Sequence, residues 1–240
     1  MLQGILDIIY PVRCPICGEI VVPKGNKICP PCKEKLRYVG EPRCMKCGKP
    51  LELEEKEYCN DCERKAYHFD RGYAVWAYSD KMKQSIANFK YHSKKEYAEF
   101  YIEEVIENYI DKINRMQVNA IVPIPIHRSK YLERGYNQAD ILAKGIGKKT
   151  GITVISDLLL RNRKTMPQKE LSDVERLKNL SGAFGWNEVA ARRYDHPVNK
   201  VLLVDDIYTT GSTIEACSSI LKEHGVSEVY FIVLCIGKGY

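Results

Sequence analysis

The stretch VLLVDDIYTTGSTI, Val201 to Ile214, drives four apolar residues into two adjacent aspartates and then into a short run of Thr, Gly and Ser. Neighbouring carboxylates repel each other and lose solvation when buried, so local stability does not explain Asp205 and Asp206. As paired acceptors they suit the vicinal hydroxyls of a ribose, each charge-assisted bond contributing roughly 1.5–3 kcal/mol. Thr209, Thr210, Gly211, Ser212 and Thr213 follow, small and rich in hydroxyls, at a predicted helix start. Backbone N–H groups in that position bind phosphate, aided by a dipole contribution of about 0.3–1 kcal/mol.

A second chemistry is written in cysteine. Eight of the ten cysteines form four Cys-x-x-Cys pairs, Cys14/Cys17, Cys29/Cys32, Cys44/Cys47 and Cys59/Cys62, each starting 15 residues after the last. Glycine follows the first and third pairs, in CPICG and CMKCG. A Cys-x-x-Cys-Gly turn points two sulfurs at one place while the glycine relieves the tight backbone, the knuckle geometry of tetrahedral Zn(II). The simplest pairing sets Cys14, Cys17, Cys29 and Cys32 around one zinc and Cys44, Cys47, Cys59 and Cys62 around a second; an interleaved pairing uses the same residues. Disulfides fit less well with regular doublets and no secretory signal, and Fe–S chemistry is the residual alternative. Four protein ligands leave no open position, so the metals are expected to be structural. They would contribute on the order of 10–16 kcal/mol each to folding a segment too short and charged to bury much core.

These features must be positioned by two unlike parts. At 240 residues, 45% hydrophobic and 28% charged, the chain is long enough for one α/β domain plus a small appendage. The division is expected at residues 1–66 and 67–240. No run of 18 apolar residues occurs, and MLQGILDIIYP has no basic leader or cleavage site, so a cytoplasmic protein without a membrane span is expected. The net charge of +6 permits an anionic ligand without demanding nucleic acid. Residues 1–66 hold 12 basic and 10 acidic side chains, and zinc thiolates would turn that balance slightly negative, a poor phosphate surface overall. Docking to a partner is the plainer role for this module, with single-stranded DNA contact through a local patch as the other.

From Phe69 onward, strand and helix patterns alternate. RGYAVWAYS reads as a strand, and Asp80 caps a helix with Met82, Ile86 and Phe89 on one face. Residues 96–115 read as a helix, 119–126 as a strand ending in Pro-x-Pro, and 134–150 as a helix. ITVISDLLL, residues 182–186, KVLLVDD and EVYFIVLCI read as strands, with STIEACSSILKEHG as a helix. The alternation predicts an α/β fold, a doubly wound and mainly parallel sheet, whose ligands bind beyond the carboxyl ends of the strands. Cys217 and Cys235 fall on core positions and read as buried apolar residues.

VLLVDDIYTTGST resembles, over its full thirteen residues, the 5-phosphoribosyl 1-pyrophosphate (PRPP) motif of type I phosphoribosyltransferases. Tyr208 stands where that motif usually has a small residue, and Ser212 where it often has glycine. VPIPIHRSKYLERGYNQADILA, TMPQKELSDVERLKNLSGAF and the four Cys-x-x-Cys pairs are similar to the ComF/GntX family of competence-associated proteins, so the resemblance covers nearly the whole chain. It implies a type I phosphoribosyltransferase fold behind a double zinc ribbon, with PRPP and Mg(II) as ligands. Pyrophosphate would then lie on Pro125, Ile126, His127, Arg128 and Ser129, with Arg128 supplying charge and Lys90 and Arg134 as further basic candidates. His127 reads as a hydrogen-bonding loop residue rather than a general base. RNRKTMPQKELSDVERLKN, with a capping box in SDVE, would be a loop closing over PRPP and delivering Arg163, Lys164 or Gln168.

The implied reaction is Mg-dependent displacement at the anomeric carbon of PRPP, with pyrophosphate leaving, Asp205 and Asp206 holding the ribose and residues 209–213 the 5-phosphate. No residue names the acceptor. The resemblance links the chain to DNA uptake in natural transformation and to a partner such as a helicase. The rival expectation is a non-catalytic PRPP or nucleotide sensor whose zinc module docks such a partner or single-stranded DNA, because fold alone does not establish catalysis.

Overall fold

A computed structural model describes residues 11–163, 182–194 and 196–237. Its centre is a four-stranded parallel sheet in the order β1 (Arg71–Ala77), β6 (Glu228–Ile236), β5 (Lys200–Tyr208) and β2 (Ala120–Pro123). Beyond β2 the segment around Val154 continues the sheet through one parallel bridge to Ile121. A second, two-stranded antiparallel sheet pairs β3 (Leu159–Arg161) with β4 (Phe184–Trp186).

Strand residues alternate between two cores, as a pleated strand buried on both faces requires. Leu202, Val204 and Ile232 face α3 (Asp80–Tyr91), α4 (Tyr97–Met116) and α6 (Gln138–Thr150), where Trp76, Phe89, Tyr101 and Leu142 fill the layer. Val201, Leu203, Phe231 and Val233 face α8 (Ser212–Glu223), packing on Ile214, Cys217 and Leu221. Each such side chain, taken fully out of water, contributes roughly 1.5–3 kcal/mol. Three shorter helices, α1 (Pro30–Lys33), α2 (Asn60–Arg64) and α7 (Glu188–Arg192), and α5 (Arg128–Arg134) complete the described elements.

The cysteine-rich part straddles the free edge of β1. Val39 N–H donates to Val75 O at 2.9 Å and Ala77 N–H to Arg37 O at 2.8 Å, so residues 37–39 cover the edge antiparallel to it. The first knuckle pair, with Cys14, Val21, Ile28 and Leu36, packs on the α4 side, whereas Cys44 and Cys47 join the α8-side core. An otherwise exposed sheet edge is closed and gripped from both faces.

Several boundaries differ from the expected ones. Ser79, not Asp80, caps α3, its Oγ accepting from Met82 N at 3.5 Å. The 119–126 strand stops at Pro123, because the prolines of IVPIPI have no N–H for a ladder. The 134–150 helix begins at Gln138; Gly135, at φ +77°, ends a separate helix α5. ITVISDLLL is not one strand, since the chain turns at Ser156–Asp157 and Ser156 is drawn to Asp140. β5 runs two residues past the aspartates, with Ile207 and Tyr208 still paired to Cys235 and Ile236. Asp205 and Asp206 therefore lie inside the strand rather than at its end.

Candidate functional site

Two of the three chemical features converge at the carboxyl end of the sheet, beginning with the turn that leaves β5. Gly211, at φ +79°, starts α8 in the left-handed conformation that glycine adopts freely, and no side chain caps the helix. Gly211 itself brings no side-chain acceptor to the start of this twelve-residue helix, the kind of position at which backbone amides meet anions. Thr210 Oγ1 and Ser212 Oγ share a hydrogen bond at 3.0 Å, which sets two hydroxyls side by side in the turn. A cavity of about 40 Å³ sits against Thr209, Gly211, Ser212 and Thr213.

The pleat turns the two acids to opposite faces. Asp206, 5% exposed, meets Lys90 Nζ at 2.7 Å and accepts from Gln138 Nε2 at 3.4 Å. Burial pulls the Lys90 ammonium down, but the charges of Asp206 and Asp205 outweigh it and hold Lys90 above its ordinary range. Asp205, less buried, accepts from Asp206 N–H at 2.9 Å and feels Arg161 on the α8 side. Burial, then the Asp206 charge, push the Asp205 carboxyl up to about 7 against the pull of Lys90 and Arg161. Gln138 is 3% exposed, and its Oε1 has no hydrogen-bond partner among the described residues.

Cations gather around these acids. Burial, followed by the charges of Arg161, Arg134 and Lys90, draws Lys130 below its usual range, so three further basic side chains act on Lys130. Arg134 donates to Tyr91 Oη at 3.1 Å and lies 4.6 Å from that ring's centroid. Such a surplus of positive charge favours a multiply charged anion.

Of the residues named from sequence, Lys90, Asp205 and Asp206 are brought together, and Arg134 stands against Tyr91, the residue after Lys90. Pro125 and Ile126 form the link from β2, and His127 caps α5, its Nδ1 accepting from Ser129 N at 3.2 Å. Arg128 is exposed as the first residue of α5 and makes no polar side-chain contact among the described residues. Arg163 is exposed beyond β3, while Lys164, Gln168 and the SDVE capping box lie outside the described residues. Sequence reasoning missed Lys130, Arg161 and Gln138. Gln138 and Lys130 stood inside quoted motifs, but only the fold shows that α5, α6 and β3 deliver them to one place. Cys217 and Cys235 are fully buried, which pushes both thiols up and leaves them without nucleophilic character.

The third feature, the cysteines, forms two clusters, Cys14/Cys17/Cys29/Cys32 and Cys44/Cys47/Cys59/Cys62, each with its sulfurs within 4.8 Å of one another. The pairing is sequential. Cys17 and Cys29 sulfurs are 3.9 Å apart, and Cys47 and Cys59 sulfurs 3.6 Å. A tetrahedron with Zn–S bonds of about 2.3 Å has edges of about 3.8 Å, so both sets fit Zn(II) with no ligand position left open. Wider surface clefts of about 490 and 270 Å³ lie between the first knuckles and α4. They are lined by mixed acids and bases and hold no comparable convergence of groups.

A parallel α/β sheet with a hydroxyl-rich turn after two strand carboxylates is the architecture of the phosphoribosyltransferase fold. The chain belongs to the phosphoribosyl transferase domain family, which residues 102–239 match, and residues 5–63 match the double zinc ribbon domain. It is similar to competence protein F of Haemophilus influenzae, 27% identical over 226 residues that cover 90% of this chain and 93% of that protein. It is also 27% identical to competence protein ComFC of Bacillus subtilis, over 83% of this chain and 80% of that protein. The DNA utilization protein YhgH of Salmonella typhimurium is 32% identical over 49% of each chain. The resemblance to ComF/GntX proteins, the fold class and the two four-cysteine clusters are thereby borne out. No described helix is long and apolar enough to cross a membrane.

Proposed function

We propose that the chain binds PRPP with Mg(II) beyond the carboxyl ends of β5 and β2 and transfers its phosphoribosyl group, releasing pyrophosphate, in support of DNA uptake. The observation that carries this reading is the glycine-led, hydroxyl-rich start of α8 next to Asp205 and Asp206, on which Lys90 and Arg161 act. The turn at Thr209–Thr213 takes the 5-phosphate. Asp205, Asp206 and the free Gln138 Oε1 are acceptors for sugar hydroxyls, so the ribose is held from both ends. Lys90, Lys130, Arg134 and Arg161 meet the pyrophosphate, with Arg128, Arg163, Lys164 and Gln168 as further contributors when ligand is bound. Mg(II), arriving with PRPP, would neutralise charge on the departing pyrophosphate. The residues keep the anomeric carbon positioned while positive charge develops on it. The link to DNA uptake rests on relatives named for competence and DNA utilization.

The test is Mg-dependent pyrophosphate release from PRPP across a panel of nucleobases and other nucleophiles, with Asp205→Ala/Asp206→Ala as control. Release with at least one acceptor, lost in the double variant, is expected. If no acceptor supports release above the double variant, transfer is wrong. PRPP binding without release would then favour the sensor, which the same groups also suit.

A further inference from the structure

Lys49 is a buried lysine for which the proposed chemistry has no use. It is 3% exposed, paired with Asp61 Oδ2 at 2.5 Å, and lies in the charge field of Cys47 and Cys59 of the second cluster. A Zn(II) with four thiolates carries a net charge of −2, so a cation is well placed there. The other side of the ammonium faces Tyr208, 5.8 Å from its ring centroid. Tyr208 is the residue at which this chain departs from the small-residue pattern of PRPP motifs. Its ring is 2% exposed and stacks on Phe231 at 5.0 Å with planes 2° apart, and its hydroxyl lies against Gly211, leaving no room for a Cβ there.

Two further contacts join the segment that leaves this ribbon to the same turn and to the helix after it. Tyr67 Oη donates to Thr210 O at 3.4 Å while its ring stacks on Phe69 at 4.9 Å. The next residue, His68, gives its N–H to Glu215 Oε2 at 2.8 Å, and its ring meets the other carboxylate oxygen, in the first turn of α8. The first ribbon makes no comparable contact among the described residues; its ion pairs, Lys27–Glu99 and Lys33–Glu104 at 2.9 Å, go to α4.

We propose that the second zinc ribbon, with the segment that leaves it, positions the phosphate-binding turn, through Lys49 on Tyr208 and Tyr67 on Thr210, whereas the first ribbon anchors the module to α4. Lys49 and Tyr67 are positioning residues. The inference rests on the phosphate-turn reading for its consequence, but not for its geometry. Zinc content and the order of the turn are coupled, and by linkage a ligand on the turn stabilises the second cluster and not the first.

Hydrogen exchange of the full-length, zinc-loaded protein separates these claims. In Lys49→Met, amides of residues 209–213 are expected to exchange at least about fivefold faster, with two zincs retained per chain and α4 unchanged. The matched change in the other ribbon, Lys33→Met, is expected to leave the turn within about twofold of wild type. Equal effects of the two variants, or an unchanged turn in Lys49→Met, would overturn the proposal. Should Lys49→Met lose zinc or fail to fold, Tyr67→Phe decides: it removes one hydroxyl, and an unaltered turn would count against the proposal. Titration with ribose 5-phosphate is the second readout, with affinity expected to fall about tenfold in Lys49→Met. If wild type does not bind it while the exchange result holds, the phosphate reading fails and the positioning stands.

Discussion

Asp205 and Asp206 occupy successive positions of β5, and the pleat separates their carboxylates onto two faces where different cations answer them. Asp206 is tied to Lys90, while Asp205 retains a carboxyl pushed up to about 7 by burial and by its neighbour's charge. A raised folded-state value means that the native protein holds a proton the unfolded chain has released. The stability from that proton is fully present below the ordinary carboxyl range near 4 and is lost as pH rises through about 7. Asp205→Asn is therefore expected to raise Tm over wild type by a few degrees at pH 8, with a smaller gain at pH 5. Melting curves across that range check it, and a constant difference would contradict it. Lys90→Met leaves Asp206 facing burial without its partner. An expected cost of about 2–3 kcal/mol lies between the values for exposed and fully buried pairs and is read from denaturant unfolding.

At the scale of elements, the turn from β5 to α8 carries the site, and Gly211 carries the turn. Gly211→Ala must accept a left-handed backbone and a Cβ against Tyr208, an expected cost of about 1–3 kcal/mol with weakened phosphate binding, measured by unfolding and by titration with ribose 5-phosphate. The hydroxyl-rich start of α8 and both cysteine clusters were legible in the sequence because their signals are local: a Thr, Gly and Ser run after a strand, and Cys-x-x-Cys pairs at a regular interval. The strands of the central sheet were legible from apolar runs. What was not legible depends on distant pairing. β5 continues past the acids only because Cys235 and Ile236 lie alongside, and Lys130 and Arg161 join the basic cluster only because α5 and β3 come together. Arg128, which the resemblance sets against pyrophosphate, is exposed at the start of α5, a short helix the sequence pattern did not show.

For the whole molecule, the zinc ribbons act as a clip on the sheet. Residues 37–39 pair with the edge of β1, both ribbons touch α4, and the second also reaches Tyr208 at the end of β5. Removal of zinc by a chelator is expected to unfold residues 11–66 and expose that edge, with faster exchange at Gly72 and Ala77, whose N–H groups donate to Lys46 O and Arg37 O, while β5 stays protected. Loss of protection throughout the sheet would instead mean that the clip is required for the whole fold. The central claim, that this end of the sheet is a phosphoribosyl site, is tested most directly by calorimetric titration of the zinc-loaded protein with PRPP and Mg(II). Saturable, Mg-dependent binding that disappears in a folded Asp205→Ala/Asp206→Ala variant is the expected result; absence of binding by wild type, or equal binding by the variant, would contradict it.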